Sequence, residues 1–211
     1  YGSKNKSREY LVHKLAQEKI DLDIYGGGWN ENDKRIDSTK LNNFNYKNQL
    51  YLMREPYYIK RIFAKIKLNL YKKKFLVDSE LINNVHNLKG YIESKNRVNI
   101  LSKYLISLGS SSLGSTYVLR NPINISRGRD WELSGMGVMM ITPKDQVLSE
   151  SFVEDKEIVF YDSTNNLKEK IKYYLKNPEI AKQIGEAAKQ KIKQKHNFDI
   201  RIKTIINKLT K

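Results

Sequence analysis

The stretch PINISRGRDWELSGMGVMMIT, residues 122–142, decides the fold. Its last part, residues 138–141, is a continuous apolar run between a glycine and a Thr-Pro pair. A run this short is typical of a strand that is covered on both faces. The residues before it predict a short helix, for which Ser126 can serve as the N-cap. The stretch is therefore predicted to form a loop, a short helix and a buried strand.

The start of this predicted helix has the features of an anion site. The first N–H groups of a helix have no intrahelical acceptor, and the helix dipole favours negative charge there. Arg127 and Arg129 add two positive charges at the same end. Glu132, one turn further along, would be placed to accept hydrogen bonds from sugar hydroxyls. An anion site that suits phosphate and a nearby glutamate that suits ribose hydroxyls together predict a nucleotide site.

Further segments on both sides alternate between strand and helix patterns. Helices are predicted over 7–19, 56–73 and 94–104 and in three stretches after residue 162, and strands over 21–25, 87–92, 105–108, 138–141 and 157–161. Apolar rather than alternating strands indicate a parallel sheet with helices on both faces. We therefore predict an α/β fold of the Rossmann-like type, as a single domain over residues 1–211.

Ligands of parallel sheets bind at the carboxyl ends of the strands. Gly2, Tyr91, Ser110 and the loop before Glu132 are all predicted to lie at such ends, with residues 1–3 taken as the end of a strand whose beginning is absent. Gly2 and Ser3 could let the backbone approach a phosphate closely, or could form a plain tight turn. The small residues 109–115 could admit a donor sugar beside them, or could form a mobile loop.

Residues 30–75 combine a polar loop with a basic amphipathic helix. In the helix the apolar residues recur at helical spacing: Ile59, Ile62, Phe63, Ile66 and Leu70. Such a helix can lie on a membrane surface or pack on a sheet, and we favour packing because every α/β fold contains several such helices.

Composition sets further limits. The 211 residues include no cysteine, which excludes disulfides and Cys-ligated metal and favours a reducing, cytoplasmic compartment. The net charge of +16 would suit nucleic acid, but the lysines are scattered among acidic residues, as on a solvated surface. The three histidines lack metal-ligand spacing, and there is no apolar run of 18 residues.

Several stretches resemble a known family. They are similar to the C-terminal donor-binding domain of GT-B glycosyltransferases. The stretches are the opening YGSKNKSREYLVHKLAQEKIDLDIYGGGW, the central LKGYIESKNRVNILSK, and RGRDWELSGMGVMMIT with the chain that follows it to Arg201. The strongest similarity is to family-1 proteins of the spore-maturation (CgeB-like) type, which are bacterial. The position eight residues before Glu132, a glutamate in many retaining members, is Asn124 here, so the resemblance does not decide between retention and inversion.

The resemblance implies a hexosyltransferase that moves a sugar from a nucleoside-diphosphate sugar, UDP-sugar first of all, to a hydroxyl of a glycan, lipid or protein. It implies that Glu132 holds the ribose, Tyr91 the base, and Gly2, Ser3, Ser126, Arg127 and Arg129 the diphosphate region, with no metal and no permanently bound cofactor. The catalytic base and acceptor site would lie on an N-terminal GT-B domain. We therefore expect the chain to be a fragment without that domain and inactive alone.

A hypothesis from another class is a non-catalytic α/β module whose basic surface binds nucleic acid or a protein partner. In that case Arg127, Arg129 and Glu132 would form surface ion pairs of little energetic value. The lack of clustered lysines with interleaved aromatic residues counts against nucleic acid. Peripheral contact with a membrane is left open by the basic helix.

Overall fold

The computed structural model of the protein describes residues 4–29, 57–110 and 112–209. Their contacts group into two compact units. The first unit takes Tyr1–Ile92 and Ser112–Ile125, and the second takes Glu93–Ser111 and Ser126–Lys211. Gly2, Ser3 and the predicted loop over 30–48 lie outside the described residues, and the single domain over 1–211 stays a prediction.

The first unit is built on two parallel strands. β1 (Asp23–Tyr25) pairs with β2 (Asn87–Gly90). Three helices belong to the same unit: α1 (Lys6–Gln17), α2 (Tyr58–Leu70) and α3 (Ser79–Val85), with 3₁₀ turns at Lys72–Phe75 and Gly114–Val118. Its core is formed by Val12, Ile24, Trp29 and Ile82. The prediction of strands at 21–25 and 87–92 is confirmed, with shorter bounds.

The second unit holds a three-stranded parallel sheet in the order β3, β4, β5. These strands are Ile106–Leu108, Met139–Pro143 and Val159–Tyr161. All five residues of the central strand β4 are buried, as the apolar run at 138–141 predicts. The α/β class with parallel strands flanked by helices is thus confirmed, while the described strands form two sheets rather than one.

Six helices complete the second unit within the described residues. They are α4 (Ser94–Leu101), α5 (Gly128–Gly135), α6 (Gln146–Ser151), α7 (Thr164–Lys176), α8 (Pro178–Lys191) and α9 (Phe198–Leu209). α5 and α8 both pack against β4. The close approach of α8 depends on Gly185, because a Cβ there would overlap the carbonyl oxygen of Gly137. No helix among the described residues is long and apolar enough to cross a bilayer.

The predicted packing of the basic amphipathic helix is wrong. Ile59, Phe63 and Leu70, which were expected to pack on a sheet, are 64%, 61% and 74% exposed in α2. The helix instead packs through Ala64, which is completely buried, against the 3₁₀ turn Gly114–Val118. Helical spacing identifies residues that share a face, but it does not say which face contacts the protein.

A buried histidine is expected to make the first unit sensitive to acid. The imidazole of His86 is buried, and its Nε2 donates to the carbonyl oxygen of Val12 at 3.0 Å. Its Nδ1 is also buried and has no hydrogen-bond partner among the described residues. Burial lowers the pKa of His86, although the Val12 carbonyl and the charge of Asp21 act in the opposite direction. Protonation would therefore place a second, unsatisfied N–H in the core.

We expect the free energy of unfolding to decrease as the pH falls below about 6.5, the ordinary histidine pKa. The pKa of His86 is lower in the folded than in the unfolded chain, so the unfolded chain binds more protons in this range. Denaturant titrations between about pH 7 and pH 5 measure the slope, and His86→Gln should make it shallower. A residual slope is expected, because burial also lowers the pKa of His13 and of His196. An unchanged slope in His86→Gln would contradict this assignment.

Candidate functional site

The N-terminal end of α5 is held by a carboxylate inside the helix. The N-cap is Arg127, whose backbone is extended at φ −133° and ψ 157°. Asp130 Oδ2 accepts a hydrogen bond from the Arg127 N–H at 2.8 Å, and the Asp130 N–H donates back to the Arg127 carbonyl at 2.9 Å. The prediction of Ser126 as the N-cap is therefore wrong, because Asp130 reaches back and fixes the helix start one residue later.

Arg129 joins this helix end to the loop that follows β3. Its Nη2 donates to the carbonyl oxygen of Ser110 at 2.7 Å, and its side chain is only 10% exposed. Its Nε lies 3.7 Å from Asp130 Oδ1. Ser110 comes two residues after the last residue of β3, so the start of α5 lies at the carboxyl end of the sheet in the second unit. This is where parallel α/β sheets place their ligands.

The buried Asp130 also affects the electrostatics of this end. Burial raises the pKa of the Asp130 carboxyl, while the hydrogen bond from the Arg127 N–H and the charge of Arg129 act in the opposite direction. When Asp130 is ionised, it and Arg129 form a neutral pair. The net positive charge at the helix end is then carried by Arg127, which is exposed.

The first turn of α5 leaves room for an anion. Gly128 is exposed, and a Cβ built on it would meet no atom within 4 Å. The N–H groups of Arg127 and Asp130 are already bonded within this helix end, and those of Gly128 and Arg129 lie beside them at the positive end of the helix dipole. Backbone N–H groups, open space and an exposed arginine therefore occur together at this point.

Glu132 lies one turn into α5 and is paired with a residue that sequence analysis did not identify. Its Oε2 is 3.3 Å from Nη1 of Arg97 on α4, and the side chains of Glu132 and Arg97 are 47% and 23% exposed. An ionised carboxylate has about four acceptor positions. The ion pair with Arg97 therefore leaves Glu132 able to accept further hydrogen bonds. Arg97 Nη2 donates a hydrogen bond to Ser94 Oγ, at the start of α4, over 3.4 Å, and this contact helps to orient the guanidinium.

The base of this site is packed tightly around Gly109. Its N–H donates to the Ile141 carbonyl at 2.7 Å, and its carbonyl accepts from the Tyr161 hydroxyl at 3.0 Å. A Cβ on Gly109 would overlap the side chain of Thr142. Burial raises the pKa of Tyr161, so this hydroxyl keeps its proton at neutral pH. The three carboxyl ends of β3, β4 and β5 are thereby fixed to one another.

The other predicted site residues are distributed as follows. Ser126, Arg127, Arg129 and Glu132 belong to the second unit, as does Arg97. Tyr91 belongs to the first unit, directly after β2, and is 63% exposed. Gly2 and Ser3 lie outside the described residues. Within the part of the chain that the structure describes, no group of three or more His, Asp or Glu side chains could hold a metal ion.

Comparison with known families identifies the class of protein. Residues 7–207 match the family model described as glycosyl transferase-like, and the chain belongs to this family. Comparison with curated protein sequences gives no match.

A solved structure gives the fold type. The chain is similar to sucrose-phosphate synthase from Thermosynechococcus elongatus, with a TM-score of 0.56 and 13% sequence identity. The similarity covers 97% of this chain and 42% of that protein, so the chain spans less than half the length of its structural relative. The predicted GT-B type of fold is confirmed, whereas the narrower CgeB-like assignment stays a prediction.

Proposed function

We propose that the second unit binds the nucleoside-diphosphate part of a sugar donor at the start of α5. The observation that supports this most directly is the hydrogen bond from Arg129 to the Ser110 carbonyl, which places the positive end of α5 at the carboxyl end of β3. Membership of the glycosyl transferase-like family supplies the class of reaction. In this proposal the Arg127 side chain and the N–H groups of Gly128 and Arg129 bind the diphosphate, and Glu132 accepts hydrogen bonds from the ribose.

These groups suit the departure of a nucleoside diphosphate. When an acceptor hydroxyl displaces it from the anomeric carbon, the bond from that carbon to the phosphate oxygen breaks and negative charge develops on the leaving group. Preorganised N–H groups and an arginine stabilise such charge without having to reorganise. Arg129 acts differently from the expectation that both arginines contact phosphate, because its guanidinium holds the Ser110 carbonyl.

The remaining features of the proposal extend beyond this unit. Several assignments stay predictions. Among the residues, these are Tyr91 as a contact of the base and Gly2 and Ser3 near the diphosphate. Among the substrates, they are UDP as the nucleotide, a hexose as the sugar, and a glycan, lipid or protein as the acceptor. The same holds for catalysis that requires an N-terminal GT-B domain, for the inactivity of the chain alone, for action without a metal and for a cytoplasmic location.

A nucleoside diphosphate should raise the melting temperature of the protein. A ligand that binds only the folded state at about 100 times its Kd stabilises by about 2.7 kcal/mol. The experiment is a thermal-shift screen of UDP, GDP, ADP and TDP at millimolar concentration and low salt. The corresponding nucleosides should give smaller shifts, because the diphosphate is the part that the helix end attracts.

Two arginine variants make this screen specific. Arg127→Gln should weaken the shift, whereas Arg120→Gln, which changes an exposed arginine of the first unit, should leave it unchanged. If none of the four diphosphates shifts the melting temperature of the wild-type chain, the proposed function is wrong.

A further inference from the structure

The amphipathic helix α2 turns its apolar face away from the protein. Its contact with the first unit is made through Ala64, which is completely buried, and through Leu68, one turn further and half-buried. At about 100° per residue, the exposed apolar side chains lie roughly opposite this contact. These side chains are Ile59, Ile62, Phe63, Ile66 and Leu70, exposed by 40% to 74%. We call them the α2 apolar face.

Aromatic contacts fix the C-terminal end of this segment to the first unit. Phe75, in the 3₁₀ turn after α2, has its ring 5.5 Å from that of Tyr10 and 6.5 Å from that of Tyr117. Tyr10 and Tyr117 also lie 5.5 Å apart. The segment is therefore anchored at Ala64 and at Phe75, while the α2 apolar face stays exposed.

Charge distinguishes this surface from an ordinary exposed helix. Residues 57–77 contain no Asp or Glu and seven basic residues: Lys60, Arg61, Lys65, Lys67, Lys72, Lys73 and Lys74. On the helix, Lys65 lies beside one edge of the α2 apolar face, and Lys60 and Lys67 lie beside the other. Lysines in these positions can extend their charged ends past an apolar surface towards water or phosphate.

α9 provides an internal comparison. It also exposes apolar side chains, among them Phe198 at 80% and Leu209 at 81%. Its charges are mixed, however, with Asp199 in the first turn and basic residues further along. An exposed apolar face alone does not identify its partner, whereas an apolar face with basic residues on both edges and no acidic residue fits a surface that is itself apolar and anionic.

We propose that the α2 apolar face and its flanking lysines dock the protein onto an anionic lipid surface. The helix would lie in the plane of the membrane interface, with Phe63, Ile66 and Leu70 among the acyl chains and the lysines among the headgroups. Each basic residue near an anionic leaflet adds to the attraction, which decreases with salt. The surface belongs to the first unit and is independent of the proposed donor site.

The test is co-sedimentation of the full 211-residue chain with vesicles. We expect binding to vesicles of phosphatidylcholine with about a third phosphatidylglycerol, and little binding to phosphatidylcholine alone. Phe63→Ser with Ile66→Ser should reduce the affinity by about 100-fold or more, because two large apolar side chains are lost. Replacing Lys72, Lys73 and Lys74 by glutamine should reduce it on the order of tenfold or more.

Matched controls separate this proposal from its alternatives. Ile202→Ser with Ile205→Ser removes exposed apolar residues from α9 and should leave vesicle binding unchanged. All of these side chains are exposed, so the variants should keep the wild-type melting temperature.

Three results would overturn the proposal. The first is that the wild-type chain does not bind anionic vesicles. The second is that the folded variant with Phe63→Ser and Ile66→Ser binds them as tightly as the wild type does. The third is that the chain does not bind vesicles but dimerises with increasing concentration, and that the same two substitutions abolish the dimer. The last result would assign the face to a second copy of the chain.

Discussion

Glu132→Gln is expected to weaken the binding of a nucleoside diphosphate by about 1.5–3 kcal/mol, the range for hydrogen bonds to a charged group. This corresponds to roughly a 10- to 150-fold increase in Kd. The reason is that an amide oxygen accepts more weakly from the ribose hydroxyls than a carboxylate does. Isothermal titration with the diphosphate that gives the largest thermal shift measures the change.

The stability of this variant serves as the control. The ion pair of Glu132 with Arg97 is partly exposed on both sides, and such pairs contribute about 0–1 kcal/mol. The melting temperature should therefore change little. Arg97→Gln, which keeps the carboxylate but removes its partner, should weaken binding less than Glu132→Gln. Unchanged affinity in a normally folded Glu132→Gln protein would remove the residue on which the ribose assignment depends.

Gly185→Ala is expected to destabilise the second unit more than any substitution at its surface. The added Cβ would lie 2.9 Å from the carbonyl carbon of Gly137 and 3.0 Å from the backbone nitrogen of Met139, and it would overlap the Gly137 oxygen. Backbone atoms cannot move aside by changing rotamer, so α8 would have to shift from β4. Overpacking of this kind costs about 1–3 kcal/mol and sometimes more, which exceeds the gain of about 1 kcal/mol from the better helix propensity of alanine.

Because the Cβ would meet backbone, we expect a cost towards the upper end of this range and thus a net loss of about 1–2 kcal/mol, or about 2–8 °C in melting temperature for a chain of this length. Urea titration and thermal unfolding both measure it. Gly128→Ala is the matched control, because a Cβ there meets no atom within 4 Å, and its effect should stay within about 0.5 kcal/mol. Equal stability of the two variants would show that α8 does not approach β4 as closely as described.

Local patterns predicted the elements of this fold well. The apolar run at 138–141 predicted a buried strand, which the structure has at Met139–Pro143. The spacing of apolar residues at 56–73 predicted a helix, which the structure has at Tyr58–Leu70. Both depend on residues that are neighbours in sequence. The direction in which α2 packs was predicted wrongly, because Ala64 carries too small an apolar signal to compete with five large side chains. Its size is nevertheless what allows the backbone to approach closely.

The candidate site was predictable only in part. Glu132 and Arg127 stand next to a recognisable helix start. Arg97, in contrast, lies 35 residues before Glu132 and is its neighbour only through tertiary contact. The N-cap is Arg127 rather than the predicted Ser126, because the Asp130 carboxylate accepts a hydrogen bond from the Arg127 N–H. The partner of Arg129, the Ser110 carbonyl, is a backbone group, and no residue type in the sequence marks it.

The division of the chain into two units has a consequence for its synthesis on the ribosome. The first unit is completed by the segment Ser112–Ile125, whereas β3 precedes that segment and belongs to the second unit. Among the strands that the structure describes, β3 pairs only with β4, which ends at Pro143. As the nascent chain emerges, the first unit can therefore close once residue 125 is available, while β3 must wait unpaired until β4 has been made.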